Sequence, residues 1–181
     1  MSLILGIDTS NYTTSAAIYD TVSGEIIQSK MLLPVKPGEK GVRQCDAVFH
    51  HTTQLPQVIA SLREKGGGFG SDKISAIGVS TRPRSAEGSY MPCFMVGSGT
   101  AAILSEVMSV PKYECSHQEG HIAAALYSSG RLDLMNGEFI AFHVSGGTTE
   151  AVLASGNGEG FETRPVACSL DLKAGQAIDR A

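Results

Sequence analysis

Apolar residues first come in short runs and later recur at helical spacing. The runs at residues 3–7, 15–20 and 25–33 are separated by Ser/Thr/Asn/Gly-rich turns, the pattern of successive strands. Pro34-Val35-Lys36-Pro37-Gly38 breaks the pattern and leads into a loop over residues 38–41. Between about Asp46 and Lys65 the apolar residues Leu55, Val58, Ile59 and Leu62 mark one face of a helix. Pro56 places the start of that helix near Gln54, or a kink there, and Gly66-Gly67-Gly68 ends it. His50 and His51, at its start, read as capping or solvated residues. A strand is expected over 74–80, a loop over 81–92, a helix over 94–108, a short strand over 113–115, a helix over 119–128 and an irregular turn over 130–136. Strands near 139–144, 149–154 and 160–167 follow, and a helix opens at Asp171.

The second group of strands repeats the first. Thr13-Thr14-Ser15-Ala16-Ala17-Ile18 lies beside Thr148-Thr149-Glu150-Ala151-Val152-Leu153, an offset of 148 − 13 = 135 residues. Each copy runs on to a glycine turn, at Val22-Ser23-Gly24-Glu25 and at Gly156-Asn157-Gly158-Glu159. Self-similarity at a fixed offset predicts a duplicated structural unit. Three strands followed by alternating helix and strand is the order of a ribonuclease-H-like unit, which assigns residues 1–137 to a first lobe and 138–181 to a second. Ala177-Ile178-Asp179-Arg180-Ala181 carries no helix stop signal. A second unit cut short is therefore the expectation.

Composition narrows the possible chemistry. The 181 residues are 42% hydrophobic and 18% charged, ordinary for a soluble globular chain. With a net charge of −4 there is no bulk positive field, so any contact with nucleic acid needs a local basic patch or a partner. Cys45, Cys93, Cys115 and Cys168 form no Cys-x-x-Cys pair, which excludes a zinc knuckle and a thioredoxin motif. Scattered cysteines suit a reducing compartment, and no apolar run approaches the roughly 18 residues of a membrane helix. A cytoplasmic location without membrane attachment is expected.

Two stretches carry candidate chemistry. In Val144-Ser145-Gly146-Gly147-Thr148-Thr149 the glycines allow a ligand close to the main chain, and consecutive N–H groups can form a nest for phosphate; an ordinary glycine hairpin fits equally well. Paired with the hydroxyl-rich turn after Asp8, it would make a clamp for a nucleotide. In Ser116-His117-Gln118-Glu119-Gly120-His121, a helix opening at Ser116 or His117 puts His117 and His121 on one face. Two imidazoles so placed can hold one metal ion, although a pair of partly exposed histidines has the same spacing. Glu119 lies two residues after His117, turned by about 200°, so the His-Glu-x-x-His protease arrangement is excluded. His143 could add a third nitrogen or simply end its strand.

His117-Gln118-Glu119-Gly120-His121 resembles the His-x-Glu-Gly-His motif of the TsaD/Gcp family. Gly6-Ile7-Asp8-Thr9-Ser10 resembles that family's opening turn, and Val144-Ser145-Gly146-Gly147-Thr148-Thr149 its Val-Ser-Gly-Gly-His-Thr. The stretch from Ser169 through Ala174-Gly175-Gln176-Ala177-Ile178-Asp179-Arg180 resembles its Asp-Asp-Ala-Ala-Gly-Glu-Ala-Phe-Asp-Lys segment. The resemblance implies the duplicated actin/sugar-kinase/Hsp70-like fold. It also implies transfer of a threonylcarbamoyl group from threonylcarbamoyl-AMP to a tRNA adenosine beside the anticodon; the family was once called a glycoprotease. His117 and His121 would ligate one iron or zinc ion, and Asp8 would be catalytic. Val144, Ser145, Gly146, Gly147 and Thr148 would bind the phosphate and carbonyl region of ATP or the adenylate, and Asp179 the ribose. Partners would be TsaB-like and TsaE-like proteins or a second copy, with tRNA as acceptor. The chain departs from the family at Arg82-Pro83-Arg84, Thr148, Leu172, Lys173 and Gln176, the mark of a divergent paralogue. A non-catalytic, TsaB-like nucleotide-binding scaffold is the alternative, and this chain alone is expected to be inactive.

Overall fold

The computed structural model describes residues 2–35, 41–144, 148–157 and 160–181. The chain divides into two compact units, residues 1–117 and 118–181.

The first unit is a five-stranded mixed sheet in the order β3-β2-β1-β4-β5. Its strands are β1 (Leu3–Asp8), β2 (Thr13–Asp20), β3 (Ile26–Leu32), β4 (Ile74–Arg82) and β5 (Lys112–Ser116). The first three form an antiparallel meander, and β4 and β5 run parallel to β1. Helices α1 (Gln44–Lys65) and α2 (Phe94–Met108) cover β2–β3 and β4 respectively. Residues of β1 and β2 alternate between buried and part-exposed. This puts Leu3, Leu5, Ile7, Ala16 and Ile18 in one core with Leu55, Val58 and Leu62 of α1 and Ala101 of α2. Each large apolar side chain buried this way contributes about 1.5–3 kcal/mol.

Helix α1 differs from its expected start. It begins at Gln44 and passes through Pro56 without interruption. Pro56 and Thr52 both lie on the exposed side, so the Thr52 carbonyl that loses its helical donor can be hydrated, which lowers the cost of an interior proline. The earlier start carries His51 into the helix body. There it is wholly buried, which corrects the expectation of a capping or solvated residue.

In the second unit α3 (His117–Ser128) leads through a short 3-10 turn at Leu132–Asn136 to β6 (Glu138–Val144), β7 (Thr149–Gly156), β8 (Phe161–Cys168) and α4 (Ala174–Asp179). The strands form an antiparallel sheet in the order β6-β7-β8. Ile122 and Leu126 of α3 pack with Ala154 and Phe161. By element order α3 closes the first ribonuclease-H-like set, whereas by packing all but its first residue belongs to the second unit.

The duplication extends to strand register. Leu3 pairs with Asp20 and Asp8 with Ser15 across β1/β2; Glu138 pairs with Ser155 and His143 with Glu150 across β6/β7. Every position is displaced by the 135 residues of the sequence repeat. The equivalent threonines also do equivalent work. Thr14 bonds to His51 and Gln54 of α1, the helix after the first meander, and Thr149 accepts the N–H of Ala174, which opens the helix after the second.

Candidate functional site

Strand β1 ends on Asp8, and the turn that follows folds back onto it. One carboxylate oxygen, Oδ1, accepts the Ser10 N–H at 2.7 Å. The other, Oδ2, lies 2.8 Å from Nδ1 of His117. The same nitrogen is 2.9 Å from Ser10 Oγ. Because the imidazole receives both groups on one nitrogen, this is not the relay of a serine hydrolase, which uses the two ring nitrogens separately. Burial alone would raise the Asp8 pKa; the His117 imidazole and the Ser10 hydroxyl and N–H outweigh it and hold the carboxyl at about 2. The Phe94 ring meets His117 edge-on at 6.3 Å between centroids.

The turn itself is anchored from below. Thr9, fully buried, donates from Oγ1 to the Cys93 carbonyl at 2.9 Å and accepts the Gly97 N–H at 3.0 Å. Its hydroxyl thereby bridges the Gly97 N–H and the carbonyl four residues before it, and ties the turn to the first turn of α2. Asn11 sits at φ 50°, a conformation its short polar side chain tolerates.

In the second unit the rings of His121 and His143 lie 5.9 Å apart. His143 Nδ1 is 3.4 Å from Glu150 Oε1, within ion-pair range, but it is buried and not aligned for a hydrogen bond. The buried Glu150 carboxylate accepts from Gln118 Nε2 at 2.6 Å. Beside this group a cavity of about 390 Å³ lies against α3 and β6, lined among others by His121, Ile122, Leu126, Phe139 and His143.

Of the residues named from sequence, Asp8 and His117 are in direct contact, and His121 sits one turn along α3, next to His143. Val144 ends β6 and Thr148 immediately precedes β7. Ser145, Gly146 and Gly147 lie outside the described residues. Asp179 is the exposed last residue of α4. Sequence reasoning missed Ser10, Gln118 and Glu150. Glu150 had a usable signal: it matches Ser15 in the repeat and therefore faces His143 across the hairpin.

Imidazole donors suit zinc or iron. His117 has its Nδ1 tied to a carboxylate, as metal-bound histidines commonly do, so the donors present fit such an ion. Among the described residues no three His, Cys, Asp or Glu groups stand close enough to complete a site.

Comparison with known proteins agrees first with the architecture. The solved structure of YeaZ from Pseudomonas aeruginosa matches with a TM-score of 0.58 at 14% identity, covering 93% of this chain and 66% of that one. A second structure, of an uncharacterized protein with similarity to peptidase YeaZ from Pseudomonas aeruginosa, gives the same values. The fold is thus the duplicated actin/sugar-kinase/Hsp70-like α/β class. The model of the family TsaD, tRNA N6-adenosine threonylcarbamoyltransferase, matches residues 21–180, and the chain belongs to that family. A probable bifunctional tRNA threonylcarbamoyladenosine biosynthesis protein of Haloquadratum walsbyi is 30% identical over 127 residues, 70% of this chain. The chain spans 23% of that relative's length. Among the described residues no helix is long and apolar enough to cross a membrane.

Proposed function

We propose that this chain contributes the metal- and nucleotide-binding side of a threonylcarbamoyl transferase acting on a tRNA adenosine next to the anticodon. The observation that carries this reading is the contact of Asp8 and Ser10 with His117 at the start of α3, which fixes the first imidazole of the His-x-x-x-His motif. His117 and His121 would hold one divalent ion, iron or zinc. When bound, such an ion would polarise the carbamoyl carbonyl as a Lewis acid. Val144 and Thr148, with Ser145, Gly146 and Gly147 between them, would receive the phosphate and carbonyl region of ATP or threonylcarbamoyl-AMP, and Asp179 the ribose. Two imidazoles make a weak site, because zinc normally takes at least three protein ligands, so binding by this chain should be weak. TsaB-like and TsaE-like proteins, or a second copy, are the proposed partners, with tRNA as acceptor.

A nucleotide-binding scaffold of the same fold is the second reading. Arg82, at the end of β4, favours it: its guanidinium, bonded to Thr81 and Ser85, fills space at a position where the family has glycine.

The test is metal content and zinc titration of the wild-type chain, His117→Ala and His121→Ala, together with transfer of the threonylcarbamoyl group to tRNA when TsaB-like and TsaE-like partners are supplied. Loss of metal and of transfer in both variants, with the fold retained, is the expected result. Metal content unchanged in both would remove the enzymatic reading. Metal binding without transfer would favour the scaffold.

A further inference from the structure

We propose that Asp8 and Ser10 are positioning residues that act through His117. Together they hold its ring in the Nδ1–H tautomer, with Nε2 as the unprotonated nitrogen. The part of this inference that concerns a metal ion rests on the function proposed above; the part that concerns the tautomer does not.

The argument follows from donor and acceptor bookkeeping. An ionised carboxylate can only accept, whereas a hydroxyl can do either and a neutral imidazole nitrogen does one or the other. With Asp8 Oδ2 at 2.8 Å and Ser10 Oγ at 2.9 Å from the same Nδ1, the carboxylate decides the matter. The proton sits on Nδ1, and Ser10 Oγ turns a lone pair towards it. The acceptor is itself fixed, because Asp8 Oδ1 takes the Ser10 N–H at 2.7 Å. Asp8 closes a strand and His117 opens a helix, so both ends of the contact are carried by regular elements rather than by a free loop. The edge of Phe94 limits the swing of the ring. A histidine held this way presents one nitrogen in one direction, the geometry that backing carboxylates impose on metal-bound imidazoles. The inference makes Asp8 a residue that sets which nitrogen reacts, without touching the reacting atoms.

It also makes an unusual forecast for a near-isosteric change. Asp8→Asn keeps Oδ1 for the Ser10 N–H but puts an NH₂ donor where Oδ2 stood. His117 Nδ1 must then accept, and its proton moves to Nε2. The variant should therefore invert the tautomer instead of merely loosening the ring. Ser10→Ala removes one acceptor and leaves the carboxylate, so the Nδ1–H form should persist. Asp8→Glu keeps the charge and should also retain it.

The experiment is long-range ¹H–¹⁵N correlation of ¹⁵N-histidine-labelled full chain at about pH 8, with His117→Ala to assign the signals. Zinc titration of the same samples follows. The expected result is Nδ1–H in the wild type, Ser10→Ala and Asp8→Glu, and Nε2–H in Asp8→Asn, with zinc affinity about 10- to 100-fold weaker in Asp8→Asn. A wild type in the Nε2–H form, or an Asp8→Asn variant with an unchanged tautomer, overturns the proposal. If Asp8→Asn does not fold, the wild-type tautomer alone decides. If the tautomer inverts but wild type and His117→Ala bind zinc equally, the positioning role stands and the proposed metal site falls.

Discussion

The hydroxyl of Thr14 and the ring of His51 meet at 2.8 Å inside the first unit, and the same hydroxyl donates to Oε1 of Gln54, also at 2.8 Å. Since Thr14 gives its proton to Gln54, it must accept from His51, which puts the imidazole proton on Nδ1. Nε2 is then a buried lone pair with no hydrogen-bond partner among the described residues.

Protonating His51 would place a charge and a second N–H in that setting. Burial is the main cause of its pKa lying below the usual 6.5, and the charge of His50 adds to it; the Asn11 backbone and Asp8 oppose the shift without cancelling it. The folded state therefore binds this proton less readily than the unfolded one. The stability that depends on a neutral His51 is complete above pH 6.5 and is lost as the pH falls from there through the lower folded value. Urea melts of the wild type should show this fall, and His51→Gln, which cannot titrate, should show a flatter profile below pH 6.5. Parallel profiles would mean that His51 is hydrated or paired when protonated.

Two glycines of α2 should respond oppositely to alanine. A Cβ on Gly97 would stand 2.9 Å from Thr9 Oγ1 and 3.3 Å from Ile7 Cγ2, whereas one on Gly99 meets nothing within 4 Å. Gly97→Ala should cost about 1–3 kcal/mol through overpacking and displacement of the Thr9 anchor. Gly99→Ala should gain about 0.5–1 kcal/mol from helix propensity. Thermal melts of the two variants against the wild type check the signs.

Leu62 is fully buried between α1 and the sheet, and Ile103 is exposed on α2. Leu62→Ala should destabilise by about 2–5 kcal/mol, and Ile103→Ala by no more than about 0.5 kcal/mol. Denaturant midpoints give both numbers.

Cysteine chemistry should separate by depth. Cys45 and Cys168 are exposed and Cys93 is buried, and burial pushes the Cys93 thiol up, away from the reactive thiolate. Iodoacetamide should label Cys45 and Cys168 in the native chain and reach Cys93 only in denaturant, as read by mass spectrometry. Native labelling of Cys93 would mean that the start of α2 opens readily.

What could be read from the sequence was local or periodic. The strands of both meanders are short apolar runs between turn residues, and the Thr13/Thr148 repeat foretold their shared hairpin register. The first turns of α1 were hidden because a hydropathy pattern counts His51 and Gln54 as surface, while the structure buries both by bonding them to Thr14. Even so, His51 lies at helical spacing from Leu55, Val58 and Leu62, which was a usable sign. Helix α3 was expected from Glu119 and starts at His117. Spacing could pair His117 with His121 as neighbours on one helix. It could not supply Asp8, which is 109 residues away, or set His143 beside His121, because those approaches are made by strand ends and exist only after folding.

The sheet order leaves β6 at an edge. Ile140, Phe142 and Val144, alternate residues on one face of β6, are 49%, 77% and 57% exposed, and Glu138 is the strand's one acidic or basic residue apart from His143. Natural edges are usually blunted by lysine, proline or a bulge; here main-chain donors and acceptors run beside an apolar row that another extended chain could zip onto. Copies of the protein should therefore associate through this strand. Light scattering should rise with concentration, and Phe142→Lys should keep the chain dispersed at concentrations where the wild type clouds.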